Sequence, residues 1–225
     1  MPQDELSFDR ERAELRPGAV HVPDWLDADA QRDLLAMCRE WARPPAGLRE
    51  VRTPGGGKMS ARQVCLGWHW VPYRYTKNAI DGDGAPVKPF PVFLNVLARR
   101  AVAEAYGSDH ELSGDYDVAV INFYDGSAQM GMHRDQEETA RDPVVSLTLG
   151  DACRFRFGNN ESRTKPYDDV RLESGDLFVF GREARMAYHG VTKVFAGTSP
   201  AFLGLTGRVN VTLRVSGLQP WTAEG

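Results

Sequence analysis

Cysteine is scarce in this sequence, with three residues, Cys38, Cys65 and Cys153. Their odd number and wide spacing exclude a disulfide framework or a cysteine-rich zinc site. They read as small buried apolar side chains in a reducing compartment. No run of 18 apolar residues exists, so no membrane span is expected. The first residues, MPQDELSFDRERAELRPG, are charged where a secretion signal would be apolar, and a cytoplasmic location is expected. Internal repeats and a dinucleotide fingerprint are both missing. The one GGG run lacks the following GK pair of a phosphate loop. Histidine is also rare, at five residues, which makes the placing of each one informative.

An apolar fraction of 42% supports a real core, and 22 glycines with 14 prolines fit turn-rich sheet better than a helical bundle. The length suits one domain with a modest addition. Residues 1–18 read as an irregular arm and AVHVPDWL as a short strand. Asp27 or Asp29 can cap a helix running to about Arg43, stopped by Pro44 and Pro45. Residues 46–91 read as short hairpins and loops. A second helix is expected from Val92 to Tyr106, ended by Gly107. Beyond Tyr116, short apolar or alternating runs recur between turns: DVAVINFY, VVSLTLG, CRFRFG, DLFVFG and RVNVTLRV. That texture predicts an antiparallel sandwich or jelly roll preceded by helices.

The net charge of -4 argues weakly against a polyanionic partner, but the charge is uneven. From Arg39 to Lys77 there are eight basic residues against Glu40 and Glu50. Such a segment can hold a polyanion on an otherwise acidic protein, or it can be a solvated loop face.

The chemistry concentrates in NFYDGSAQMGMHRDQEE, residues 122–138. His133 and Asp135 lie one residue apart, so an extended backbone turns both to one face. His189 stands near the end of a later strand. Two imidazoles and one carboxylate leave adjacent sites open on an octahedral ion and suit non-haem Fe(II); zinc accepts the same ligands. An isolated His-x-Asp is more often a hydrogen-bonded loop pair. The stretch RVNVTLR adds weight. Its alternation places Arg208, Asn210, Thr212 and Arg214 on one face, and two inward arginines are costly unless they meet anions. A dicarboxylate would answer both, although internal Asp or Glu partners or solvent would also do so. Asn122 and Tyr124 share a strand face and can add hydrogen bonds.

These pieces, taken together, resemble the AlkB family of Fe(II)/2-oxoglutarate-dependent nucleic acid dealkylases, and look closest to its bacterial members. The matching stretches are NFY (122–124), HRDQEE (133–138), PVVSLTLG (143–150), FRFG (155–158), GDL (175–177), YHG (188–190) and RVNVTLR (208–214). The lid stretches PGGGKMS (54–60) and LGW (66–68) are similar too. The resemblance implies a mainly β fold with N-terminal helices, a double-stranded β-helix (jelly roll) carrying a nucleotide-recognition lid. It implies a flexible arm at 1–16, an extension and lid at 17–91, a support helix and dioxygenase core at 92–216, and a tail at 217–225. His133, Asp135 and His189 would hold Fe(II) and form the catalytic centre. Asn122, Tyr124, Arg208, Asn210 and Arg214 would bind 2-oxoglutarate, with O2 as cosubstrate. Met59, Trp68, Tyr73, Asp135, Glu138 and Arg163 would contact substrate. Trp68 and His189 would flank a flipped base, and Tyr73 is preferred over Tyr75.

The activity so implied is oxidative demethylation of N-alkylated bases such as 1-methyladenine and 3-methylcytosine. Conversion of 2-oxoglutarate to succinate and release of formaldehyde would accompany it. The expected partner is single-stranded DNA or RNA, or duplex DNA carrying an alkylated base. The protein is expected to act as a monomer with no membrane. A 2-oxoglutarate-dependent hydroxylase of a protein or small molecule is the alternative enzyme. A metal-bound nucleic acid binding module without turnover is a third class.

Overall fold

The computed structural model describes residues 10–218. Residues 1–9 of the expected arm and 219–225 of the expected tail lie outside the described residues. Among the described residues, fourteen strands and two α-helices form three layers. Among the strands, β1 (Ala13–Arg16), β2 (Ala19–Val22), β3 (Arg49–Arg52), β4 (Lys58–Leu66), β7 (Val118–Tyr124), β9 (Val144–Gly150), β12 (Leu177–Phe180) and β14 (Arg208–Arg214) make one eight-stranded sheet, in the order β1-β2-β12-β9-β14-β7-β4-β3. The strands β8 (Met130–His133), β10 (Cys153–Phe157), β11 (Asp168–Leu172) and β13 (His189–Val194) make a second sheet, in the order β11-β10-β13-β8. A small hairpin, β5 (His69–Val71) and β6 (Arg74–Thr76), stands apart.

The sheets do not form the expected double-stranded β-helix (jelly roll). Neither large sheet closes on itself: one ends at β1 and β3, the other at β11 and β8. The physical reason lies in the N-terminal segments. β1 comes from the expected arm, β2 from the expected short strand AVHVPDWL, and β3 and β4 from the segment expected as short hairpins and loops; these extend the large sheet outward at both edges. The mainly β content with helices ahead of the core strands is as expected.

Each face of the large sheet has its own core. One face carries Val64, Leu66, Ile121, Leu147, Val209, Val211 and Leu213 against two helices. Helix α1 (Ala28–Trp41) contributes Leu34, Leu35, Cys38 and Trp41, and starts where the Asp27 carboxylate accepts from the Ala30 amide. Helix α2 (Val92–Tyr106) contributes Leu94, Ala98, Ala101 and Val102. The opposite face meets the four-stranded sheet through Phe155, Phe157, Phe178, Phe180, Val191 and Leu172. Alternation along β14 divides its residues accordingly, with Val209, Val211 and Leu213 toward the helices and Arg208, Asn210, Thr212 and Arg214 between the sheets. All three cysteines are free and buried. Among the described residues, no helix is long and apolar enough to cross a membrane.

Candidate active site

Strand pairing builds the metal centre. His133 closes β8 and His189 opens β13, and the two are register partners across that antiparallel pair. Their rings lie 4.5 Å apart, centre to centre. Asp135 follows two residues beyond His133, past the strand end. Its Oδ1 lies 3.8 Å from His133 Nε2 and its Oδ2 lies 4.0 Å from His189 Nε2. One ligand atom from each residue falls within 4.8 Å of the other two.

The donor set fits a divalent metal. His133 Nδ1 is 2.9 Å from the Gly131 carbonyl and His189 Nδ1 is 3.0 Å from the Ala187 carbonyl. A proton on each Nδ1 can donate there, which leaves both Nε2 lone pairs facing the shared point. Burial among Phe155, Phe157 and Phe180 lowers the His189 pKa to about 4, so the ring stays neutral near pH 7. Burial pushes the Asp135 carboxyl up, but Arg214 and the two histidines outweigh it and hold it below the usual range. Arg214 Nη2 sits 2.8 Å from Asp135 Oδ2, yet that buried oxygen makes no hydrogen bond of normal geometry. It has a lone pair to give to a metal.

Beside the triad lies an inner cavity of about 40 Å³, lined by Asn122, Tyr124, Ser146, Arg208, Asn210 and Arg214 among others. Arg208 is only 2% exposed. Its Nη2 donates to Thr148 Oγ1 at 3.1 Å, whereas its Nε and Nη1 have no acceptor among the described residues. Arg214 Nε is orphaned in the same way. Leaving such buried cationic donors unmatched is costly, and a carboxylate satisfies them in pairs. The five residues expected to bind 2-oxoglutarate are therefore brought together, and their donors fit a dicarboxylate. Burial also raises the Tyr124 phenol to about 12, so it remains a neutral hydrogen-bonding group.

An outer cleft of about 540 Å³ opens onto the same centre. It shares Asn122, Met130, His133, Asp135 and Arg214 with the inner cavity. Met59, Tyr73 and Arg163 all line it, and Tyr73 is 71% exposed. Two expected substrate residues are placed elsewhere. Trp68 packs against Cys65, Val118 and Val120 and is not part of the cleft wall; Trp70 is. Glu138 is 1% exposed and fully engaged: it accepts from the Tyr75 hydroxyl, from Arg214 Nη1 at 3.2 Å and from Arg185 Nη2 at 3.0 Å. Its neighbour Glu137 lines the cleft and lies 3.4 Å from Trp70 Nε1. His189 faces the inner cavity, while His133 faces both spaces.

Sequence reading overlooked Trp70, Glu137, Arg134, Tyr188 and Gln63 in the cleft wall. The first two were within reach, since WHW and QEE offer adjacent alternatives of the same type. Tyr188 sits under Arg134 and Arg163, whose guanidinium carbons are 4.6 and 5.8 Å from its ring centre. The basic 39–77 segment proves thinner than its count. Arg49 is buried against Asp81, Arg43 pairs with Glu40, and Lys58 pairs with Glu50.

Comparison with known proteins agrees with this geometry. The sequence pattern of the 2OG-Fe(II) oxygenase superfamily matches residues 18–214. DNA N(6)-methyladenine demethylase ALKBH1D of Arabidopsis thaliana is 33% identical over 222 residues, covering 89% of this chain and 50% of the relative. The alpha-ketoglutarate-dependent dioxygenase AlkB of Salmonella typhimurium is 34% identical over 208 residues, covering 89% of this chain and 91% of the relative. The solved structure of OsALKBH1 superposes with a TM-score of 0.80 at 31% identity, covering 90% of this chain and 100% of that one. The chain spans about half the length of the first plant relatives it matches. Plant and bacterial relatives are similar to it at the same level, so the expected special nearness to bacterial proteins is replaced by a broader kinship. With its facing histidine pair, the nearby Asp135 carboxylate and buried arginine N–H groups left without acceptors, the chain belongs to the 2OG-Fe(II) oxygenase superfamily, in the AlkB line of Fe(II)/2-oxoglutarate-dependent dioxygenases.

Proposed function

We propose that this chain removes N-linked methyl groups from nucleobases in DNA or RNA. One observation carries the reading: the outer cleft, walled by Trp70, Tyr73 and Tyr188 and edged by Lys58, Arg134 and Arg163, opens directly onto His133 and Asp135. Aromatic walls suit a planar base taken out of its stack, and the cations suit the flanking phosphates. In this reading residues 17–91 act as the nucleotide-recognition segment through Lys58, Met59, Trp70 and Tyr73.

When bound, Fe(II) with 2-oxoglutarate supplies oxidation of an alkyl carbon, with succinate and formaldehyde as the products released. The chain's part is placement. His133, Asp135 and His189 hold the metal. Arg208 pairs with the far carboxylate of 2-oxoglutarate, with Tyr124 beside it. Asn122 and Arg214 face the keto acid end, and Asn210 shapes the same cavity. Arg163 covers the cleft from the 159–167 loop. The carboxylate facing the base is Glu137, which among the described residues meets only the Trp70 indole at 3.4 Å, because Glu138 is held by Tyr75, Arg185 and Arg214.

Ring methylation gives 1-methyladenine and 3-methylcytosine a positive charge, which Glu137 favours. A second reading is N6-methyladenine in DNA, a neutral base, on the strength of the name borne by the plant relative. Short single-stranded DNAs and RNAs carrying each base, incubated with Fe(II), 2-oxoglutarate and oxygen, separate the two by mass spectrometry. Loss of one CH2 from the cationic bases, matched by succinate, is the expected result. Loss only from N6-methyladenine selects the second reading. Steady succinate without any loss from DNA or RNA refutes both and favours a protein or small-molecule substrate.

A further inference from the structure

Five polar side chains form a continuous row across the large sheet. Arg49 on β3, Gln63 on β4, Asn122 on β7, Asn210 on β14 and Thr148 on β9 are successive register partners. All five are buried. Hydrogen bonds give the first three members a direction. A guanidinium only donates. Arg49 Nη2 donates to Gln63 Oε1 at 3.1 Å, which fixes that amide with its nitrogen toward β7. Gln63 Nε2 then donates to Asn122 Oδ1 at 3.1 Å. The acceptor end of Asn122 is thereby taken, and its Nδ2 makes no hydrogen bond within the described protein.

Arg49 is itself immobilised. Its Nε donates to Asp81 Oδ1 at 2.6 Å, its Nη1 to the Gln63 carbonyl at 3.2 Å, and its Nη2 also to the Trp70 carbonyl. The opposite side of the row is closed as well. Asn210 Nδ2 is spent on Ser146 Oγ at 2.8 Å and the Leu147 carbonyl at 2.9 Å, and its Oδ1 accepts from Thr212 at 3.2 Å. Asn122 lines both the inner cavity and the outer cleft, so the one free end of its amide faces the place where an anion would bind.

We propose that Gln63 is a positioning residue for the cosubstrate: by holding Asn122 Oδ1, it makes Asn122 present an N–H donor to a carboxylate of 2-oxoglutarate. This rests on the reading of Asn122 as a cosubstrate contact. A free asparagine amide can turn either end toward an anion, and only one end attracts it. The row removes that choice before the ligand arrives.

Gln63→Glu tests this directly. A glutamate at that position still accepts from Arg49 but cannot donate to Asn122. The Asn122 amide must then turn its nitrogen toward position 63 and its oxygen toward the cavity. Binding of 2-oxoglutarate to the Mn(II)-loaded full chain is measured by calorimetry, with thermal melts to confirm folding. Gln63→Glu should raise Kd about tenfold or more. Gln63→Leu, which holds neither end, should give a smaller rise. In an Asn122→Ala background, the Gln63→Glu penalty should vanish. A Kd unchanged by Gln63→Glu overturns the proposal. So does a larger loss for Gln63→Leu, or a penalty that persists in full without Asn122. If Asn122→Ala alone leaves Kd unchanged, the cosubstrate role of Asn122 fails first, and the positioning role falls with it.

Discussion

Neighbouring side chains of one chemical type have divided roles around the centre. Glu137 stands in the open cleft, while Glu138 is buried beneath it as the counter-charge to Arg185 and Arg214. Removing Glu138 leaves the buried Arg185 guanidinium without a carboxylate and takes one of two from Arg214, which keeps Asp135. Glu138→Ala should destabilise the fold by about 3–5 kcal/mol, and Glu138→Gln by less. Urea unfolding of the metal-free protein measures both; a loss below about 1 kcal/mol for the alanine variant would refute the structural role. The sequence could nominate an acidic pair here but could not rank its members, because which one is buried depends on Arg185, from a distant turn. The tryptophans show the same limit. Trp68 follows Gly67, which turns at φ +78 with its backbone against the Asp117 carbonyl, and the chain direction changes there. Strand alternation through WHW therefore fails at its first residue. The metal ligands and the cavity arginines were legible because each group combined a fixed spacing with a demand for charge compensation.

Strand β8 meets β13 with no room to spare. A Cβ at Gly190 would lie 2.5 Å from the Met130 carbonyl oxygen and 2.9 Å from that of Gly131. Glycine at 190 thus permits the pairing that sets His133 opposite His189. Gly190→Ala should push β8 away and weaken Mn(II) or Fe(II) binding roughly tenfold or more, while far-ultraviolet circular dichroism keeps its sheet signal. An unchanged metal affinity in a metal titration would show that the pair tolerates the shift. Elements with a strong pattern were readable: α2 has the bounds that its apolar spacing and Gly107 predict, and the apolar runs became β7, β9, β10, β12 and β14. The charged strand β11 and the long β4 were not, and the strand expected to end near His189 instead begins there as β13. Their residues carry no clean alternation, and it is their place between other strands that makes them extended.

At the scale of the molecule, Asp176 ties the amino-terminal end of the described chain to the core. Its carboxylate accepts from Arg10 Nη1 at 2.6 Å and from the amides of Asp24 and Glu173 at 3.1 and 2.9 Å, and lies 2.9 Å from His21 Nε2. Burial pushes this carboxyl up, but His21, Arg10 and the amides outweigh it and hold its pKa below the usual value. A depressed carboxylate contributes stability above its unfolded pKa of about 3.9 and loses that contribution as pH falls through the folded value. Asp176→Asn should therefore cost about 2 kcal/mol at pH 7, and the gap to the parent should narrow below about pH 4. Urea midpoints at several pH values check this; a gap constant with pH would remove the charge from the explanation. Closure of the sheets was the whole-molecule feature that the sequence concealed, since no local pattern reveals whether edges meet. Because the large sheet stays open, β1 and β3 are its outer strands among the described residues. Such strands invite a second molecule to add on, and charge along them opposes it. Glu14 and Arg16 stand on β1, and Glu50 and Arg52 on β3. Charged residues on these edge strands thus oppose the addition of a second copy along them.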